Sequence, residues 1–547
     1  MTDAHQQSPS QADRTPEDPA PATARAALAG RLRAAAVALD IDLNAVPAPV
    51  GDDGAQDAAR VLDLLAVRVA DTLAKDEIWL LLTALSAAYP TLDELTDARR
   101  ALQLEGVAGI VELLDTSLLR AQQVGEPRSR IRIVTGGVVT DVEHSAKHDL
   151  HTGIQRVARS LLPQWRSRPE VVPAVWTDAS GALRELRPAE RQRALEWGRE
   201  DAGPVGEDGV DTLLVPWRSV VLLVEVPSSE ADPRLAALAA HSGNRLVAIG
   251  YDAIPVVSAD TVPPADSVKF VNYLSALKYG HAVAAISHAA AAEFSGFVSM
   301  LPTQGLTGPT VLPLPLPDLA EPAGAIEQTA LADDRAPLVV MIGSFEPRKN
   351  HVAVLNAAEQ LWREGIDFRI RFIGGSGWGH EFPDAAAELI AAGRPLEILR
   401  AVDEAVLTHS YREAAFTVFP SLHEGYGLPV AESLAHGVPV LTSSYGAPSE
   451  IAAGGGALTV DPRSDDAIRD GMRTLLTDPA ERDRLRAEIR SRPGSDWTRY
   501  ADALWTVVAE QLALVPAAST GRHTRSATDM ADMADVAGAA TAAEDVR

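Results

Sequence analysis

The sequence predicts an α/β protein of two doubly wound, Rossmann-like parallel-sheet halves behind an all-helical stretch. Three observations predict it. From Arg130 onward, short apolar runs alternate with helical stretches, the pattern of parallel sheets covered on both faces. A Pro/Ala/Asp-rich segment at 317–336 divides that pattern in two. Residues 24–123 are Ala/Leu/Arg-rich, with apolar positions at threes and fours, as in VLDLLAVRVADTL (Val61–Leu73).

The totals bound the function. A chain of 547 residues has room for two to four domains. With 46% hydrophobic and 23% charged residues its composition is that of globular proteins. A net charge of −26 argues against a nucleic-acid partner, whose phosphates need basic patches. The absence of cysteine excludes disulfides, thiolate catalysis and Cys-ligated metal. In the first part of the chain the longest apolar run, Ile78–Ala88, is too short to span a bilayer. Residues 1–23 are polar, Pro-rich and acidic, and read as disordered rather than as a signal peptide. Residues 515–547 read as a disordered tail. The expected location is cytoplasmic, with peripheral membrane contact left open.

Residues 24–125 form the predicted helical accessory module, which packs on the rest of the chain or mediates self-association. Thr91 and Glu94 make a capping box that opens Leu92–Leu104, and Gly106 separates that helix from Val107–Leu119. The Asp40-x-Asp42 pair lies at a helix end without a strand before it, so it reads as a solvated turn rather than a metal site.

The first sheet half spans 130–330 and starts with IRIVTGGVV (131–139), read as one buried strand. Next, HTGIQRV starts a helix whose core positions are Ile154, Val157, Ala158, Leu161 and Leu162. Thr152 and Gly153 mark its N-terminus, where free N–H groups favour an anion. Gln155 and Arg156 face either the interior of a cleft or solvent. Further strands are expected at Val171–Trp176, Ser219–Val226, Arg245–Gly250, Ala282–Ile286 and Thr310–Leu314. Ligands of such sheets gather at the carboxyl ends of strands, which points to Tyr251-Asp252 and Ser287-His288. Asp252 either binds a hydroxyl or caps a turn, and His288 starts a helix.

The second half, 331–492, opens with the strand Leu338–Ile342, a turn at Gly343, and Arg348 and Lys349 ahead of a helix near His351. An ammonium acts on phosphate as a point charge and a guanidinium as a fork. IRFIGGSGWGH (370–380) is a strand with a glycine-rich loop containing Gly374, followed by the strand Leu396–Leu399 and the helix Asp403–Tyr411. Leu475–Arg490 is read as one charged amphipathic helix, and 493–514, with Trp497, Tyr500, Leu504 and Trp505, as the last.

The densest stretch is PSLHEGYGLPVAESLAHGVPV (Pro420–Val440), between the strands Ala415–Phe419 and Val438–Ser443. Glu424 stands in a loop with Gly425 and Gly427, which let a ligand approach the backbone. A helix opens near Pro429, at home in a first turn, and Glu432 lies inside it. Carboxylates at such places accept hydrogen bonds from sugar hydroxyls.

With its two glutamates eight apart, this string resembles the retaining glycosyltransferases of family 4, and TGIQRV resembles their bacterial mannosyltransferase-like subgroup. The resemblance implies the GT-B fold, two Rossmann-like domains facing a cleft, with 493–514 as a crossover helix. It implies transfer of a hexose, mannose as first guess, from a GDP- or UDP-sugar to a glycan, lipid-linked or small-molecule acceptor, without a cofactor. Lys349 and Arg348 would meet the donor diphosphate, beside Gly153, Gly343, Ser344 and the N–H groups of Gly425, Tyr426, Gly427 and Leu428. Gly374 would lie at the base and ribose, Glu432 at the ribose hydroxyls, Glu424 at the sugar ring and Asp252 at the acceptor. No Asp-x-Asp pair with strand context occurs, which implies metal-independent chemistry.

The chain departs from the family at two places. Tyr251 stands where a histidine is common, and Ser344 where an arginine is common, so either Arg348 supplies the second charge or a hydroxyl serves. The alternatives are a GT-B nucleotide-sugar epimerase and a non-catalytic GT-B scaffold.

Overall fold

Among the described residues five α-helices come first: Ala24–Ala38, Ala55–Thr72, Lys75–Ser86, Leu92–Glu105 and Ile110–Gln123. The capping box forms: the Glu94 N–H donates to Thr91 Oγ1 at 3.4 Å, and the Thr91 N–H donates to Glu94 Oε2 at 2.8 Å. Gly106 ends that helix at φ 60°. Asp42 caps an exposed turn by accepting from the Asn44 N–H at 2.9 Å. The computed structural model describes residues 24–45, 54–149, 152–197, 211–317, 336–400, 402–494 and 496–515. The segments expected to be disordered at 1–23 and 516–547, and nearly all of the 317–336 linker, lie outside the described residues.

The helices do not close a core of their own. Leu32, Leu65, Trp79 and Tyr89 belong to one apolar cluster with Val134, Trp176, Leu214 and Trp217 of the first sheet. Tyr89 is the joint. Its ring centroid lies 5.2 Å from that of Trp79 and 5.8 Å from that of Trp176, and its hydroxyl donates to the Leu214 carbonyl at 2.5 Å. Arg31, buried, donates to the carbonyls of Ala84 at 2.8 Å and Pro127 at 2.7 Å.

The first sheet holds nine strands: β1 (Arg130–Thr135), β2 (Val138–Asp141), β3 (Val171–Trp176), β4 (Leu183–Glu185), β5 (Thr212–Trp217), β6 (Val220–Leu223), β7 (Arg245–Gly250), β8 (Ala282–Ala285) and β9 (Thr310–Pro313). Their order is β1-β5-β4-β3-β2-β6-β7-β8-β9, and only β4 runs antiparallel to its neighbours. The stretch 131–139 is therefore two strands rather than one. Gly136 adopts φ 65°, a turn that glycine allows at little cost. It carries the chain out of β1 and into β2, with β5, β4 and β3 lying between them in the sheet. Sequence reasoning also missed β5, because Pro216 argues against a strand. β5 pairs with β4 only at Leu213, so Pro216 has no β4 partner to satisfy.

The second sheet comprises β10 (Leu338–Ile342), β11 (Arg369–Ile373), β12 (Leu396–Leu399), β13 (Phe416–Phe419), β14 (Val440–Ser443) and β15 (Ala457–Val460). All pairings are parallel, in the order β12-β11-β10-β13-β14-β15. The chain winds outward one way from β10 and then the other way from β13. Loops leaving the carboxyl ends of these two strands flank the topological switch point, where such sheets bind ligands. The expected helix 475–490 is broken: Asp465–Thr477 ends at Asp478, which caps Pro479–Arg490 by accepting from the N–H groups of Ala480 and Glu481.

The last helix, Trp497–Ala513, returns to the first sheet, burying Tyr500, Leu504 and Val508 in one cluster with Val220, Leu222 and Ala284. Two sheets, parallel throughout except at β4, meet at their carboxyl ends, and with the final helix crossing back they make the GT-B arrangement. Among the described residues no helix is long and apolar enough to cross a membrane.

A shared core should melt as one. Tyr89→Ala is expected to cost about 3–5 kcal/mol and to lower a single transition seen alike by far-UV circular dichroism and tryptophan fluorescence. A helical transition that moves alone would show two independent cores.

Candidate functional site

The site forms where the loops after β10 and β13 converge. After Ile342, Gly343 takes φ 147°, and the Lys349 stem runs alongside: a Cβ at 343 would stand 2.8 Å from Lys349 Cδ. Gly374, after β11, packs on the same turn; a Cβ there would fall 1.9 Å from the Gly343 carbonyl oxygen. That contact gives Gly374 a structural reason to be glycine. A single turn of 3-10 helix, Pro347–Lys349, then presents two cations side by side.

Glu424, on the β13 loop, receives both. Lys349 Nζ lies 3.0 Å from Oε1 and Arg348 Nη1 lies 2.9 Å from Oε2. Arg348 also reaches Glu346 at 2.8 Å and donates to the His423 carbonyl at 3.1 Å. The Ser344 hydroxyl donates to Glu346. Arg348 is thus the second cation of this loop, and Ser344 orients its counter-ion. Burial alone would raise the Glu424 carboxyl, but Lys349 and Arg348 outweigh it and hold the group at about 2.

Asp252, after β7, faces this cluster from the first sheet. A Cβ at Gly425 would stand 2.3 Å from the Tyr251 carbonyl oxygen and 3.0 Å from Asp252 Oδ2, so only glycine lets the two loops touch. Asp252 Oδ1 accepts from the Ile254 N–H at 3.1 Å, which makes it a turn cap. Burial, opposed by Arg348, pushes its carboxyl up to about 6. Tyr251, in the place of the usual histidine, is buried and donates to the Val224 carbonyl at 2.6 Å.

Glu432 is engaged elsewhere. Tyr411 donates to Oε2 at 2.7 Å, and Arg156, from the helix Gly153–Leu161 of the first half, pairs with Oε1. The residues left open at 155 and 156 thus divide: Gln155 accepts from its own helix's Thr152 N–H at 3.2 Å, while Arg156 crosses to the second half. Gly153 and Leu428 touch across the same gap, with Leu428 Cδ1 3.0 Å from a Cβ at 153. Gly427 begins the helix Leu428–Ala435 at φ 108° with no side chain capping it. Tyr426 is turned into the core, its hydroxyl donating to the Leu316 carbonyl at 3.0 Å.

Other cross-cleft contacts escaped sequence reasoning. Ser287 caps the helix His288–Met300 and donates to the Gly425 carbonyl at 2.7 Å. His288 starts that helix as expected, and Glu450 accepts from the N–H groups of His288 at 2.8 Å and Ala289 at 2.6 Å. The signal available was Glu450 in SSYGAPSE; its partner, far away along the chain, was not visible.

Residues 325–492, which include both loops, match the family described as glycosyl transferases group 1. That half of the chain is similar to the group 1 glycosyltransferases. The chain is 26% identical over 348 residues to the serotype-specific mannosyltransferase WbdA of Escherichia coli, covering 59% of this chain and 40% of that protein. It is 34% identical over 191 residues to a D-inositol 3-phosphate glycosyltransferase of Frankia alni, covering 33% and 46% respectively. The chain thus spans under half the length of these curated relatives. Among solved structures, sucrose-phosphate synthase of Thermosynechococcus elongatus superposes with a TM-score of 0.48 at 14% identity, over 69% of this chain and 99% of that one.

The two carboxyls that face each other here are shifted in opposite directions. Glu424, depressed, contributes stability at neutral pH that is lost as pH falls through about 2. Asp252, raised to about 6, favours folding in its neutral form, so its cost grows as pH rises from about 4 to 6. Asp252→Asn should therefore be more stable than the native chain at pH 7.5, with the advantage shrinking toward pH 4, as read by urea denaturation. Glu424→Gln should lose about 3–5 kcal/mol at pH 7.5, because two enclosed cations lose their counter-charge.

Proposed function

We propose that the chain is a retaining glycosyltransferase that moves a hexose from a nucleotide-diphosphate sugar to an acceptor hydroxyl without a metal ion. One observation carries the reading: two cations from the β10 loop converge on a carboxylate from the β13 loop at the sheet's switch point. When the sugar leaves, negative charge grows on the diphosphate. Lys349 and Arg348, fixed by their turn, are placed to stabilise it without reorganising.

In the closed arrangement Lys349 pairs with Glu424, and Arg348 with both Glu424 and Glu346. A donor diphosphate would take over part of that pairing and turn Glu424 toward the hydroxyls of the sugar ring. Glu432 would likewise exchange Arg156 for the ribose hydroxyls and keep its bond from Tyr411. Asp252, with a carboxyl at about 6, would orient the acceptor hydroxyl. Double displacement needs a carboxylate nucleophile beneath the anomeric carbon, and this reading assigns none. Departure and attack on the same face of the sugar is the route it supports, within a cleft closed against water.

Mannose from GDP-mannose is the first donor to test, since TGIQRV and the WbdA similarity both point to mannosyltransferases. The acceptor would be a glycan or a lipid-linked sugar.

A panel of nucleotide sugars scored by thermal shift, then by nucleoside-diphosphate release with acceptor glycans, tests this. Lys349→Ala is expected to lower kcat/KM by about 10²–10³-fold, and a chelator to leave the rate unchanged. Undiminished turnover in Lys349→Ala, or loss on chelation, would overturn the assignment.

A further inference from the structure

His423 precedes Glu424 and has no part in the transfer chemistry assigned to its neighbours, yet both of its ring nitrogens are engaged. Its Nδ1 lies 2.7 Å from Ser258 Oγ and its Nε2 lies 2.6 Å from Glu293 Oε1. The second oxygen of Glu293 accepts from the Ala253 N–H at 2.6 Å, next to Asp252. Ser258 follows the short helix Ile254–Val257, and Glu293 lies on the helix His288–Met300, so both partners belong to the first half. The imidazole and the Glu293 carboxylate are 15% and 13% exposed, too enclosed for water to replace the contacts freely.

We propose that Ser258, His423 and Glu293 form a latch across the cleft, in which His423 is a positioning residue holding Glu424 in register with Asp252 for the transfer step. The chain geometry makes the link direct. Moving the His423 ring moves the peptide that carries Glu424 and the carbonyl that Arg348 grips. Moving Glu293 frees the Asp252–Ala253 turn.

The latch also completes the charge balance. Four carboxylates (Asp252, Glu293, Glu346 and Glu424) share this space with two permanent cations, Arg348 and Lys349. A proton on His423 supplies a third positive charge, bonded to Glu293 and attracted by Asp252 and Glu424. Burial opposes that charge, but the Glu293 hydrogen bond and the neighbouring carboxylates outweigh it and raise the imidazole above its ordinary value. The latch is strongest while the proton is held and weakens as pH rises through the raised value.

The kinetic part of the test rests on the glycosyltransferase reading; the rest does not. In the full chain labelled with ¹⁵N, the His423 signal is assigned by its loss in His423→Gln and titrated from about pH 5.5 to 9, a range that brackets an ordinary imidazole. It should titrate above the ordinary value of about 6.5, and at least one pH unit lower in Glu293→Gln. Hydrogen exchange of the peptides 421–428 and 250–258 near neutral pH should be faster in His423→Gln and Glu293→Gln, with Ser258→Ala intermediate and all three still folded by circular dichroism. With a nucleotide sugar that the native chain turns over, His423→Gln should lower kcat roughly tenfold with donor KM within twofold, and should lack the native fall in rate toward alkaline pH. A His423 signal at or below the ordinary value, exchange unchanged in both variants, or a native alkaline limb kept in His423→Gln would each overturn the latch. If no nucleotide sugar is turned over, the transfer reading fails alone, and titration and exchange still decide the latch.

Discussion

Glu424 stands between two cations that would otherwise repel each other in an enclosed space, and the rest of the cleft is arranged around that fact. Lys349 and Arg348 lie next to one another on a single turn, which is costly unless an anion faces both. In the closed chain Glu424 is that anion, with Glu346 taking the outer face of Arg348. A diphosphate can take over the same place because it offers more oxygens and more charge to the same two groups. On the proposed function, the carboxylate would be a placeholder that keeps the cations aimed until a donor arrives. The loops around the site are tightly built: a Cβ would meet the Lys349 stem at Gly343, the Gly343 carbonyl at Gly374 and the Tyr251 carbonyl at Gly425.

Closure is spread over several unlike contacts rather than one interface. Arg156 pairs with Glu432, Glu450 caps the helix His288–Met300, Ser287 donates to Gly425, and the Trp378 indole donates to the Thr261 carbonyl at 3.0 Å. Each is polar and can be exchanged for water or ligand at small net cost. The apolar contact between the halves is concentrated at the returning helix Trp497–Ala513 and around Tyr426. A hinge held by apolar burial and a mouth held by polar contacts is the mechanical arrangement a closing cleft needs.

Most of the second sheet, though not β15, was legible because its signals are local. β10, β12 and the loops bearing Lys349 and Glu424 are each written in a short run of consecutive residues, where a buried apolar run, a glycine and a charge succeed one another. The first half was less legible because its organisation depends on distant pairing. Gly136-Gly137 reads as part of one strand until β3, β4 and β5 are seen lying between its two ends. Arg156 could not be assigned a face from helical period alone, since its position is decided by Glu432, 276 residues away. His423 drew no attention because its meaning lies in Glu293 and Ser258, neither of which stands in a motif. The helices at 24–123 were visible from periodicity, but their fusion with the sheet lies in a shared apolar core, with Tyr89 set against Trp79 and Trp176, that periodicity cannot distinguish from a core of their own.

The overall charge of −26 is at first sight at odds with an anionic donor, and the geometry resolves the conflict. At physiological ionic strength, fields from exposed carboxylates are screened within about 8 Å, so most of that charge is not felt inside the cleft. A diphosphate bound as proposed would meet the local set, in which Lys349 and Arg348 are enclosed and poorly screened and are paired with Glu424 and Glu346. Lys349 is one of only five lysines in the chain, so few other ammonium groups compete with it for the donor. The acidic surface keeps anions from binding nonspecifically, and the two enclosed cations leave the switch point of the second sheet as the place where binding is favoured.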